Sequence, residues 1–167
     1  MNRAAKNLGS QIFRMRGRKR SVVLLLWANW LLLGVSWGMS IRAYLRLPGH
    51  MALWLSVWSD VPVVVGKSLP FFIYPLIQAV VFFGGLALAG RFFFSRSDTE
   101  DLANLKAEVS YLELIFVSLL FIHLQTSLIL LSFGMGSGIN ESYLAIIVAV
   151  LVMLVPYYHI RRRLLHR

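Results

Sequence analysis

The sequence predicts an all-α integral membrane protein: a four-helix bundle with both termini cytoplasmic and an interfacial segment between its first two helices. Three observations predict it. Four apolar runs, at about 21–40, 68–90, 109–133 and 143–160, each approach the ~20 residues that carry a helix across a ~30 Å hydrocarbon core. Hydrophobic residues make up 58% of the 167 and charged residues only 14%, too little polar surface to cover a soluble fold of this size. The 17 Lys and Arg, against 7 Asp and Glu, gather in the tails and links around the apolar runs. The net charge of +10 has no nucleic-acid-binding motif beside it, so the partner it implies is the lipid bilayer rather than nucleic acid.

Residues 1–20 form a basic tail with seven cations and no anion. It reads as a topogenic segment held near anionic lipid, with Gln11-Ile12-Phe13 and Met15 open to a short amphipathic helix on the membrane surface. The four-span domain covers 21–160. Its first span, Ser21–Ser40, exceeds the ~7–15 apolar residues of a cleaved signal peptide and reads as an uncleaved anchor. Asn29 is unusual inside it, and Gly34 with Gly38 make a small-xxx-small pair suited to close helix approach.

The stretch Leu47–Lys67 is neither a spanning helix nor an ordinary loop. Met51, Trp54, Leu55 and Trp58 fall on one helical face, which fits a short helix lying at headgroup depth. Pro48 and Pro62 bound it, and Val61–Val65 is β-branched and extended in character. Gly66-Lys67 turns the chain into the second span. There Pro70 suits the first turn, while Pro75 frees a backbone carbonyl that a neighbouring helix or Gln78 can satisfy. Gly85 and Ala89 offer a second close-packing site.

Ser97 followed by Glu100 has capping-box spacing, and Asp98, Glu100 and Asp101 suit a first turn. One long helix is expected from about Asp98 through the third span, its first three turns outside the hydrocarbon. Glu113, Phe116, Leu120, His123, Ser127 and Leu130 follow steps of three and four and share a seam. Glu113 falls near the cytoplasmic end of that span and His123 near its middle, with Gln125 and Thr126 close by. The glycine-rich run Gly134–Gly138 ends it. The fourth span, Tyr143–Ile160, leads into the basic tail 161–167.

Orientation follows from the positive-inside rule: 14 of the 17 basic residues fall on the side of the two termini and the link between spans two and three. Both ends then face the cytoplasm and Leu47–Lys67 faces outward.

The intramembrane polar residues are Asn29, Gln78, Glu113, His123 and Gln125. Ionisable groups inside a span face protein or water. Glu113 and His123 stand about 15 Å apart along a helix, too far to touch. They could relay protons or hold a ligand. Alternatively, Glu113 reaches the cytoplasmic interface and a neutral His123 bonds to Ser, Thr or Asn29 across helices. No metal or cofactor is expected, since His50, His123, His159 and His166 lie at different depths, without ligand spacing, in a chain lacking cysteine. No nucleophile elbow or histidine–carboxylate pair suggests an enzyme.

Leu47-Pro48, an apolar run, Asp60-x-Pro62 and then Gly66-Lys67 entering a prolyl span together resemble a bacterial membrane family. The same domain forms the N-terminal part of SdpI-type immunity proteins. The likeness covers about residues 20–90 by motif. Where that family has a histidine this chain has Trp54, and where it has an asparagine this chain has Ser56, so any function those groups carry is altered or lost here. In the SdpI-type proteins the resemblance implies immunity to a secreted toxic peptide and capture of a repressor at the membrane. For this chain it implies a non-catalytic protein of the bacterial inner membrane. Leu47, Pro48, Trp54, Trp58, Pro62, Gly66 and Lys67 would meet a protein partner or a second copy. An accessory subunit of a larger membrane complex, or a small proton-coupled transporter using Glu113 and His123, are the alternatives.

Overall fold

The computed structural model describes residues 19–52, 63–92, 99–135 and 140–165. Four helices dominate it: α1 (Arg20–Arg46), α2 (Ile73–Phe92), α3 (Glu100–Ser132) and α4 (Glu141–Leu165). Each is long and apolar enough to cross a membrane, which makes this a multi-pass membrane protein by length and composition. A two-stranded antiparallel sheet of β1 (His50–Ala52) and β2 (Val64–Gly66), then a 3-10 turn (Leu69–Phe72), fill the connection between α1 and α2.

The central element is α3, which packs against all three other helices; α1 and α2 also touch each other, whereas α4 packs on α3. Specific contacts set the register. At one end Lys19 pairs with Asp101 at 2.9 Å, and about three turns further on Asn29 reaches the Tyr111 carbonyl. Thr126 meets the Met39 sulfur near the other end. Thus α1 and α3 run parallel. Helix α2 runs against them, with Gln125 at its start on the Phe71 carbonyl and Leu114 against Gly85. Trp30 packs edge-on to Phe82, and Trp37 stacks on Phe72.

Two hydrophobic clusters lie along this frame. One, between the spans, joins Val22 and Leu33 of α1, Phe82 of α2, and Ala107, Tyr111 and Leu114 of α3. The other sits at the hairpin end and joins Ala43, Leu47, Met51, Ala52, Phe71 and Leu128.

Several element boundaries depart from the sequence reading. Helix α1 continues past Ser40 to Arg46, because Arg42 and Arg46 are good helix formers. It stops where Leu47 turns extended, as the residue before Pro48 must. Met51 is not on a helical face; it lies in β1, fully buried, opposite Val65. Three residues carry too little periodicity to separate strand from helix, and their pairing with Val64–Gly66 is a long-range event. The interfacial helix expected around Trp54 and Trp58 lies outside the described residues, as does Pro62.

Helix α3 is a single element, as its sequence suggests, but Thr99 occupies the N-cap without a side-chain bond. Ser97, the expected capping residue, lies outside the described residues. At its far end Gly134 takes a φ of 69°, the Gly134 N–H donates to Leu131 and the Met135 N–H to Leu130, which is a Schellman motif. Helix α4 starts at Glu141, earlier than Tyr143, because Asn140 caps it through Oδ1 to the Tyr143 N–H.

The small-residue pairs behave differently. A Cβ on Gly85 would meet the Leu114 Cδ2 at 2.8 Å, so this glycine is a true close-approach site. Gly34 and Gly38 have nothing near them and play no part in packing the bundle.

Candidate functional site

Two regions gather the residues singled out by sequence: the hairpin end and the polar interior.

At the hairpin end the stem is tied to the helices by bonds of several kinds. The Ala52 N–H donates to Ser132 Oγ at 3.0 Å, and that hydroxyl donates in turn to the Leu128 carbonyl. The Lys67 N–H extends the ladder to the Gly49 carbonyl. The Lys67 ammonium lies 3.4 Å from the Leu47 carbonyl and 4.8 Å from the centre of the Tyr44 ring. Tyr44 sits against both Phe71 and Phe72, completing an aromatic cluster beneath the sheet.

Of the expected contact residues, Leu47 is buried in this cluster and Lys67 is turned toward it, so both serve the stem itself. Gly66 pairs with His50 in the sheet, and Pro48 is exposed beside it. Trp54, Trp58 and Pro62 belong to the segment 53–62 that joins the two strands, outside the described residues. Sequence reasoning missed Tyr44, Phe71 and Ser132. Nothing local marks a serine at the end of a long apolar helix as the acceptor for a strand 80 residues away.

In the interior, Asn29 is fully buried and its Nδ2 donates to the carbonyls of Leu25 and Tyr111, tying α1 to α3 at mid-length. Gln125 is also fully buried and its Nε2 donates to the Phe71 carbonyl at 3.2 Å. The residue that satisfies the carbonyl upstream of Pro75 is therefore Gln125 and not Gln78. Gln78 is 1% exposed and finds no protein partner for either amide atom. The α2–α3 register puts Gln78 midway between the Phe71–Gln125 and Gly85–Leu114 contacts, at the level of buried Ser118. The α1–α3 register brings buried Ser36 to about the same level. Three helices thus each place one buried polar residue near one layer, and the Ser36 hydroxyl is likewise unpartnered.

His123 is not bonded to Asn29 or to a serine or threonine. Its Nε2 accepts the Asn140 N–H at 3.3 Å, and its ring lies 4.4 Å from that of Tyr143. The histidine therefore receives the first turn of α4, an arrangement that uses an unprotonated Nε2. The Asn140–Glu141 cap signal was present in the sequence; its spatial partner was not.

This contact also resets the depths. Helix α4 begins level with His123, so its apolar run 143–160 lies alongside α3 from about residue 122 back toward Asp101. His123 then stands at the edge of the apolar girdle. Glu113, ten residues or about 15 Å further along the axis, stands near its middle. The α1 register agrees, since Tyr111 is level with Asn29 in the uncharged run 21–41, whereas α2 brings Gly85, five residues before the end of the run 68–90, level with Leu114.

The expected seam through Glu113 and His123 is divided in space. About 80° separates the two around the helix axis; His123 faces α4, while Glu113 is exposed. Between Leu102 and Ile129, Glu113 is the one residue of α3 that is exposed. Among the described residues it has neither an ion pair nor a hydrogen bond.

Among the described residues no group of three His, Asp or Glu could hold a metal ion. Comparison with protein-family models, with curated proteins and with solved structures finds no match for the chain.

Proposed function

We propose that the protein is a non-catalytic receptor-type membrane protein that meets a protein partner through the segment joining β1 to β2. The single observation behind this is the anchored stem. Buried Met51 and Ala52, the Ala52–Ser132 bond and the Lys67–Leu47–Tyr44 contact all fix the points where segment 53–62 leaves and re-enters the fold. A rigid base carrying a connecting segment is how scaffolds commonly present recognition residues. That segment holds Trp54 and Trp58, the residue type most enriched at interface hot spots.

In this reading the hairpin end faces outward and the termini face the cytoplasm, in keeping with the distribution of basic residues. The motif likeness to SdpI-type immunity proteins favours a bacterial inner membrane and a secreted or membrane-borne peptide as partner.

The test is co-purification of the tagged chain in mild detergent, with and without Trp54→Ala and Trp58→Ala. Partner recovery should fall to background for the double variant while the amount of the chain itself stays constant. Equal recovery from both chains would remove this reading.

A further inference from the structure

We propose that the lateral groove between α2 and α4, floored by α3, is a second binding site, and that it takes a transmembrane helix carrying a cationic side chain at mid-membrane depth. Three observations carry this. Helices α2 and α4 flank α3 and pack on it far more than on each other, and on the side of α3 between them Glu113 is exposed while Lys106, Leu120 and Leu124 are half-buried. Around the α3 axis, Leu114 and Gln125 point to α2 and His123 to α4. Glu113 points between them, about 100° from Leu114 and 80° from His123. The residue that fills the opening is thus a carboxylate, exposed and without a partner among the described residues, near the middle of the apolar girdle.

The occupant follows from charge and depth. A carboxylate facing hydrocarbon is unfavourable by several kcal/mol unless something pairs with it. The amine of a lipid headgroup lies roughly half a bilayer, about 15 Å, away from that level. Among the described residues a second copy of this chain supplies no Lys or Arg there: Lys19, Arg20 and Arg161–Arg163 lie at the end of the bundle marked by the Lys19–Asp101 pair, and Arg42, Arg46 and Lys67 at or toward the hairpin end. Lys106, on the same side of α3, is two turns nearer that end, about 10 Å along the axis. A spanning helix with a central Lys or Arg has both the shape for an open groove between helices and the charge for Glu113. This site is independent of the hairpin end, and either can fail without the other.

The experiment uses the full chain, donor-labelled, in phosphatidylcholine vesicles with acceptor-labelled 23-residue Leu/Ala spanning peptides. One peptide carries a central Lys, one carries Leu there, and one carries the Lys seven residues nearer either end. The central-Lys peptide should associate about tenfold more tightly than the other two, and Glu113→Leu should abolish that preference. Glu113 is exposed and makes no bond among the described residues, so the variant breaks none, and the position scan on the wild-type chain needs no variant. Equal association of the three peptides, or an undiminished preference in E113L, would overturn the proposal. Displacement of the Lys peptide by unlabelled copies of the chain would assign the groove to a second copy and overturn it equally.

Discussion

Gln125 stands in for a missing backbone donor: its Nε2 reaches the Phe71 carbonyl at 3.2 Å, the carbonyl that Pro75, lacking an N–H, leaves open four residues on. In a water-poor setting an orphaned carbonyl costs a few kcal/mol, so a side chain from the next helix is a sufficient reason for a buried glutamine. Gln125→Leu should therefore destabilise the bundle by about 1–3 kcal/mol, read as a drop in thermal midpoint by circular dichroism in detergent. Adding Pro75→Ala supplies a backbone N–H at that position, so the double variant should recover part of the loss. Additive losses would mean the two residues are not linked.

Gln78 gives the opposite expectation. Both its amide atoms are buried without a protein partner, so Gln78→Leu removes a desolvated polar group at nearly constant volume. Replacing unsatisfied polar groups by apolar ones of the same shape is neutral or stabilising. The thermal midpoint should stay level or rise. A fall as large as that of Gln125→Leu would show that Gln78 is held by something essential to the fold.

The glycines separate cleanly. Gly85→Ala drives a Cβ to 2.8 Å from Leu114 Cδ2, and overpacking of this kind costs about 1–3 kcal/mol. Shortening the partner in Gly85→Ala/Leu114→Val should restore much of it. Gly34→Ala and Gly38→Ala meet nothing within 4 Å and should leave the midpoint unchanged or slightly higher, since alanine is the better helix former. One set of four midpoints decides all of this.

Ser132 links the hairpin to the bundle through a single hydroxyl. Ser132→Ala removes the acceptor of the buried Ala52 N–H, and deuterium uptake at residues 50–52 should rise about tenfold for ~1–1.5 kcal/mol of lost protection. Uptake in α1 near Asn29, tied by different bonds, should not change. Equal rises at both places would point to global loosening.

The four helices were legible in the sequence because each apolar run is long enough to be unambiguous. The strand character of Val64–Val65 and the continuity of α3 from the acidic link into the span were also legible. What escaped was anything set by pairing at a distance. Met51 has the same local pattern whether it lies on a helix or opposite Val65. The depths of Glu113 and His123 differ from the sequence expectation because the α3 apolar run does not by itself mark the ends of the bundle. That run continues past the start of α4, and its last two turns, with Leu128 and Ser132, serve the hairpin cluster. The Asn140–His123 contact shows where α4 begins along α3. Gln125 and Gln78 are both intramembrane polar residues by sequence, and only the helix register shows that Gln125 rather than Gln78 meets the carbonyl freed by Pro75.

Between Glu100 and Ser132 there is no glycine and no proline, the residues at which helices most often kink. At 33 residues, or about 50 Å, α3 touches every other helix, carries the stem of the hairpin at one tip and the Lys19–Asp101 pair near the other. It is a strut. A displacement imposed on the strand-bearing tip has no joint in which to be absorbed, so it arrives at the acidic tip as a tilt or a slide of the whole rod.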